Sequence, residues 1–255
     1  MTEPLVLTER RENTFLLTLN EPSRKNPLSD PMIEAMTEAL TSKDAQSASL
    51  VVLQGAGGTF SAGGDIRQFH ASLTTDANEQ FDGTLAFGVL LNTLEQMPGL
   101  TMAAVRGGAF GGGCGLTAAC DIAVASRTAQ FGCPEIHLGA FPMLITPALV
   151  RAVGPRATAA MSLSGEKISA EEAYRLGLVF KVVDDTDFDG YIGGYIDQAN
   201  KVPAHVLRMG KMSIRAGTMP DYRVGVDSGA VLRSLLFSSS AFHEGVEAFV
   251  SRAKA

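Results

Sequence analysis

Eleven glycines crowded into two short windows constrain this chain more than any other feature. Five lie between Gly55 and Gly64 and six between Gly107 and Gly115, out of 27 in 255 residues. Glycine leaves backbone amides bare and lets another group come close. Each window follows an apolar run that reads as a buried strand, Leu50–Gln54 for the first and Met102–Val105 for the second. The second window runs on into a helix over Gly112–Ala119. The first N–H groups of a helix have no intrahelical acceptor and its dipole favours negative charge there. Two such donors aimed at one point, one from each window, would stabilise an oxyanion.

Taken singly, each window is equally satisfied by a tight turn with close helix packing. A third reading also stands. Gly113-Cys-Gly115-Leu-Thr-Ala118 fits the dinucleotide fingerprint G-x-G-x-x-A after a strand, which keeps a nicotinamide-dependent dehydrogenase among the alternatives. Against it, the stretch lies mid-chain, and the acid some 20 residues on, Glu135, follows a proline instead of ending a second strand. A P-loop fails: Gly210-Lys211 is followed by Met212, with no glycine-rich loop before it.

The rest of the chain alternates strand and helix. Pro4–Thr8 and Thr14–Asn20 read as a hairpin, and Ser29–Leu40 as a helix with Ser29 as N-cap and Pro31 in its first turn. Asn78–Met97 reads as a long helix with Phe81, Leu85, Val89, Leu90 and Leu94 on one face. Asp121–Ala125 is a strand; Ser169-Ala-Glu-Glu172 is a capping box opening a helix that Gly177 closes, followed by a strand over Leu178–Val183. The pattern predicts an α/β core over 1–187 with right-handed crossovers. From Phe188 onward the periodicity is helical, with Val206–Ile214, Tyr222–Leu236 and Phe242–Val250 as segments, so 188–255 is expected to be a helical region packing on the core or on a neighbouring subunit.

Charge and composition exclude several function classes. Lysine plus arginine (21) against aspartate plus glutamate (27) leaves a net charge of −6 and no basic block, which argues against nucleic acid. No uncharged run suits a bilayer and no secretory h-region opens the chain, so no membrane is expected. Three cysteines, Cys114, Cys120 and Cys133, at spacings unlike metal pairs fit reduced thiols and a cytoplasmic location. The four histidines form no zinc-hydrolase motif and there is no G-x-S-x-G elbow, so no metal is expected. Glu135 is the one acid between Gln130 and Val150, and Phe141-Pro-Met-Leu-Ile145 after it is apolar. Desolvation there would raise its pKa toward the range of a general base or acid; a helix-capping role or a pairing with Arg151 or Arg156 fits the pattern as well.

With both windows and Glu135 in view, the chain resembles the crotonase superfamily, the enoyl-CoA hydratase/isomerase family. The resemblance rests on Asn26-Pro-Leu-Ser29, Phe60-Ser-Ala-Gly-Gly-Asp-Ile66, Gly111-Gly-Gly-Cys-Gly-Leu116 through Ala119-Cys-Asp-Ile122, and Phe131-Gly-Cys-Pro-Glu-Ile136. It continues through Leu163–Ala173, Gly177-Leu-Val179 and Glu244-Gly-Val-Glu-Ala-Phe249. It implies a spiral of ββα turns with a C-terminal helical trimerisation region, assembled as a trimer or dimer of trimers, acting on acyl-CoA thioesters of the kind found in fatty acid metabolism. Coenzyme A would enter as part of the substrate, with no other cofactor.

Carried over by position, the resemblance makes the N–H groups of Ala62 and Gly112 the oxyanion hole and Glu135 the catalytic acid or base. Asp65 and Ile66 would line the CoA nucleotide, Lys25 and Lys211 would meet its phosphates, and Gly111, Pro134 and Phe141 would line the substrate. Two departures stand out. Gly115 occupies the position of a second glutamate, and Arg106 replaces a usual asparagine. Two carboxylates suit hydration and one suits moving a double bond, yet some relatives that hydrate branched enoyl-CoAs also carry glycine there. Hydration would need a second group, for which Asp76, Glu79 and Asp82 are candidates. A family member that binds CoA esters without turnover is the remaining alternative.

Overall fold

The computed structural model describes residues 3–71 and 77–218, with positions 231, 240, 242 and 244. In chain order the elements are β1 (Val6–Arg11), β2 (Thr14–Leu19), β3 (Pro27–Leu28), α1 (Asp30–Thr41), α2 (Lys43–Ser47), β4 (Leu50–Gly55), β5 (Gly63–Gly64) and α3 (Ile66–Ala71). Next come α4 (Ala77–Gln96), β6 (Leu100–Val105), β7 (Gly108–Phe110), α5 (Gly112–Ala119), β8 (Ile122–Ser126), β9 (Gln130–Gly132) and α6 (Thr146–Ser164). The described chain closes with β10 (Ile168–Ser169), α7 (Ala170–Leu176), β11 (Lys181–Val183), α8 (Phe188–Asn200) and α9 (Ala204–Gly217).

Six strands form the main sheet in the order β1-β2-β4-β6-β8-β11, antiparallel at the first pair and parallel thereafter. Between successive main-sheet strands the chain makes a short strand in a small sheet and then a helix: β3 and α1, β5 and α3, β7 and α5, β9 and α6. This is a spiral of ββα turns, as the sequence predicts.

Side chains on the main strands alternate between two apolar clusters. Phe15, Leu17, Val51, Leu53, Ala103 and Val105 face one, and Leu16, Leu50, Val52, Met102 and Ala104 face the other. Burial on both faces is why β4 and β6 read as continuous apolar runs. Helix α8 covers the second face with Phe188, Ile192, Ile196 and Ala199, so the helical tail begins by packing on the sheet. Arg106 has its role here: its guanidinium lies 4.8 Å over the Phe188 ring and 3.0 Å from Asp189, tying the β6–β7 corner to α8.

Local signals mostly hold. The Met32 N–H donates to the Ser29 hydroxyl, and the Glu172 N–H donates to Ser169. The reciprocal half of the capping box is missing because the Glu172 carboxylate turns to Arg175, 2.7 Å away. Two expectations change. On α4 the buried side chains are Leu90 and Leu94, with Met97 just beyond, whereas Leu85 and Val89 are exposed; the side chain of Phe81 lies outside the described residues. The strand expected over Leu178–Val183 shortens to β11. Leu178 and Val179 are buried, but both their N–H groups donate to the Ala173 carbonyl and wind up α7 instead of joining a ladder. Tyr222–Leu236 and Phe242–Val250 fall almost wholly outside the described residues. Among the described residues, no helix is long and apolar enough to cross a membrane, no cluster of three or more His, Cys, Asp or Glu could hold a metal, and all three cysteines are buried free thiols.

Candidate active site

The fold stitches the two glycine windows together. The Ser61 N–H donates to the Gly108 carbonyl at 3.0 Å and the Phe110 N–H donates to the Ser61 carbonyl at 3.0 Å. A third loop joins them through Asn26, which is buried at a left-handed φ of 52°. Its amide donates to the carbonyls of Ala56 and Thr59 at 3.0 and 2.7 Å and accepts the Glu21 N–H at 2.8 Å. Strain of that kind persists only where the surroundings over-determine it, and here it aligns three loops.

The structure corrects one expected donor. The Ala62 N–H donates to the Lys25 carbonyl at 2.9 Å, so it is engaged and does not face a substrate oxygen. Gly64, two residues on, is the candidate for that donor instead. In the parallel pairing of β3 with β5, Pro27 stands opposite Gly63, and a proline has no N–H. The Gly63 N–H, which also lies 3.1 Å from the Ser61 hydroxyl, stands on that rung, and the alternation of a parallel ladder then leaves the N–H of Gly64 on the other edge of β5. Gly112 is the candidate for the other donor. It is the first residue of α5, and its N–H has no backbone acceptor among the described residues. Gly111 before it has φ 51°, and its own N–H is held by the Gly132 carbonyl at 2.9 Å.

Glu135 sits on a single 3-10 turn, Pro134–Leu138, which Gly139 closes in the left-handed conformation. Its carboxylate lies against Gly111 so closely that a Cβ added there would be 2.9 Å from Oε1. Oε2 is buried and has no hydrogen-bond partner among the described residues. Burial pushes the Glu135 carboxyl above the ordinary glutamate value, opposed only by the residue's own backbone N–H. No ion pair reaches it among the described residues: Arg151 turns to Glu95, 3.8 Å away, and to the Ala119 carbonyl, 3.0 Å away. Of the readings open from sequence, the geometry keeps the desolvated acid beside a helix N-terminus.

One turn further along α5, Gly115 faces Ile145. A Cβ on Gly115 would lie 2.1 Å from Ile145 Cγ2, and Ile145 is 2% exposed. The position of an absent second carboxylate is therefore filled by hydrocarbon. The same packing disposes of the dinucleotide reading, since Gly113 through Ala119 form the buried body of a helix with no open phosphate turn. Of the acids considered as a second group, Asp76 lies outside the described residues, and nothing is described of the side chains of Glu79 and Asp82.

The remaining predicted contacts divide. Ile66 and Phe141 are exposed, Pro134 adjoins Glu135, and Lys25 is exposed with its ammonium in no ion pair among the described residues. Two side chains are corrected. Both oxygens of Asp65 accept from Arg24 at 2.7 Å and one accepts the Arg67 N–H at 2.9 Å; burial works to raise its carboxyl, but these bonds hold it below the ordinary value. That carboxylate aligns α3 and is not free for a nucleotide. Lys211 is 3% exposed; its Nζ lies 2.7 Å from Asp121 and donates to the Gly99 carbonyl at 3.1 Å, so it anchors α9 to the core and does not meet a phosphate.

Residues 9–255 match the family model described as Enoyl-CoA hydratase/isomerase. A probable enoyl-CoA hydratase of Mycobacterium tuberculosis, echA8, is 31% identical over 99% of this chain and 97% of its own length. The chain belongs to the enoyl-CoA hydratase/isomerase family. An Escherichia coli 2,3-dehydroadipyl-CoA hydratase is also 31% identical, over 97% of this chain and 96% of its own. The crystal structure of an enoyl-CoA hydratase from Mycobacterium smegmatis superposes with a TM-score of 0.92 at 31% identity, covering 98% of this chain and 97% of that one. The ββα spiral is thus the crotonase fold, and this enoyl-CoA hydratase/isomerase family member is built for acyl-CoA thioester chemistry. Gly64, Ile145 and Arg24 are the parts of its site that sequence reading missed. For Gly64 a signal existed, because Pro27 cannot donate to the strand that pairs with it.

Proposed function

We propose that this protein polarises the thioester carbonyl of an enoyl-CoA with the N–H groups of Gly64 and Gly112, and that Glu135 moves one proton between carbons of the resulting enolate, shifting the double bond. The observation that carries this reading is that Glu135 is the one carboxylate beside the α5 N-terminus among the described residues, with Oε2 unpartnered, while Ile145 fills the space beside Gly115. Glu135 takes a proton from one carbon, the electron pair moves through the enolate, and the same proton returns at another carbon. A partly desolvated carboxylate suits both directions, because its affinity for the proton is raised toward that of the neutral range. No cofactor beyond the CoA of the substrate enters this proposal. Self-association through the C-terminal helices as a trimer or dimer of trimers belongs to it and is read by sedimentation.

A second reading, hydration, is favoured by the hydratase names of the relatives. It needs a second proton-carrying group, for which the segment holding Asp76, Glu79 and Asp82 is the source. Matched 2-enoyl- and 3-enoyl-CoA esters incubated in heavy water and analysed by mass separate the two. Deuterium uptake without added water supports isomerisation, and a gain of one water supports hydration. Saturable binding without either supports the non-catalytic alternative.

The hole has its own test. Proline is tolerated at the first position of a helix, so Gly112→Pro removes the N–H while leaving α5 able to form. Gly112→Ala makes the same first contact, with the flexible end of Leu28, yet keeps the N–H. The proline variant is expected to lose about 10²–10³-fold in kcat relative to the alanine variant. Equal turnover in the two would remove Gly112 from the mechanism.

A further inference from the structure

We infer that Ile145 is the specificity-determining residue of this site: by closing the α5 wall one turn from Glu135, it keeps water off C3 of the enoyl group and thereby holds the reaction to proton transfer. The inference rests on the double-bond reading above. It starts from two contacts at the start of one helix. Gly111, the N-cap of α5, and Gly115 are four residues apart, joined by the Gly115 N–H to Gly111 carbonyl bond of 3.0 Å, so Gly115 lies one turn in from the start of the helix. Against the first lies the Glu135 carboxylate, and against the second lies the branched end of Ile145. One helical turn is about 5.4 Å, so a reacting carbon that meets Glu135 has this sec-butyl group as its next neighbour along the wall.

The local fold holds that side chain in place. Ile145 caps the N-terminus of α6, its carbonyl accepting the Leu149 N–H at 3.0 Å, and its side chain belongs to the main apolar cluster. Yet the residues just before it, Phe141, Met143 and Leu144, are exposed, so Ile145 is the point where an open loop enters the core. Glycine at 115 is required for this arrangement, since even a methyl group there would collide with Cγ2 and Cβ of Ile145 at 2.1 and 2.6 Å. Water addition would form a C–O bond at C3, break the C2–C3 π bond and deliver a proton to C2. It needs an ordered water held beside C3, and a hydrocarbon wall has no group to hold one.

Ile145→Ala opens room for about two water molecules on the side of Glu135, whose unpartnered Oε2 is the polar atom that would hold one. It is expected to raise the share of hydrated product from a 2-enoyl-CoA by about tenfold, with the oxygen drawn from labelled water. Ile145→Val, which keeps the branch at Cβ, is expected to leave the product ratio as in the parent protein. Melting temperatures of both variants report folding, and product ratio is independent of how much of the sample is folded. An unchanged ratio in Ile145→Ala, with the parent protein isomerising, overturns the role of Ile145 and leaves the double-bond reading standing. A parent protein that only adds water, or does neither, overturns that reading and this inference with it. Should Ile145→Ala fail to fold, Ile145→Thr carries the same test with nearly the volume of valine and a hydroxyl able to hold water.

Discussion

Glu135→Gln is expected to lower kcat by about 10²–10⁴-fold while the dissociation constant for a CoA ester changes little, because the amide keeps the shape of the side chain and loses its ability to take and return a proton. Oε2 makes no hydrogen bond among the described residues, so the substitution leaves no partner orphaned. Stability should move the other way. The folded carboxyl titrates above its unfolded value because of burial, so the folded state binds more protons between the two values. The contribution of this group to stability is therefore full below the unfolded value and is lost as pH rises through the folded one. Above the folded value the ionised acid is a cost, and there the glutamine variant should melt at or above the temperature of the parent protein. Single-turnover kinetics, ligand titration and thermal melts at pH 4 and 7 measure the three quantities. Full activity in the variant would remove Glu135 from the mechanism.

Asp121→Asn is expected to destabilise the fold by about 2 kcal/mol, less than the range for breaking a fully buried ion pair, because Asp121 keeps 22% of its side chain exposed and water screens the pair. Lys211 has 3% of its side chain exposed, and Asp121 is its counter-charge at 2.7 Å. Asp121 also accepts the N–H and hydroxyl of Thr101 at 2.8 and 3.0 Å, bonds that one oxygen of asparagine retains in part. Burial already holds the Lys211 ammonium below the ordinary lysine value, with Asp121 opposing that shift. Removing the acid lowers it further. A lysine whose folded value lies below its unfolded one makes the unfolded state the stronger proton binder between the two, so the stability of the variant should recover as pH rises through that interval. Urea unfolding at pH 7 and pH 9.5 tests both magnitude and sign. Replacing the pair together, as Asp121→Leu with Lys211→Met, should return much of the loss, since no charge is left buried alone.

The fold was largely legible because its signals are local. The alternation in β2, the Ser29 cap of α1 and the left-handed Gly177 each act within a few residues, where the chain has little else to choose. The face of α4 was misjudged at Leu85 and Val89 because a helical stripe wide enough to include them is also consistent with burial of Leu90 and Leu94 alone. Which edge meets α1 is set by packing that no short window contains.

The order of residues by itself determined that two bare-amide loops precede a helix, that one acid lies in an apolar stretch, and that strands and helices must alternate, because glycine freedom, desolvation and periodicity are properties of the local chain. Only the tertiary structure decided which amide in the first loop is free, that Asp65 and Lys211 are held by Arg24 and Asp121, and that Ile145 fills the space beside Gly115. Those outcomes depend on partners 30 to 90 positions away, such as Gly115 for Ile145 and Asp121 for Lys211, and a hydrogen bond or a steric contact has no signature in the sequence of one partner alone.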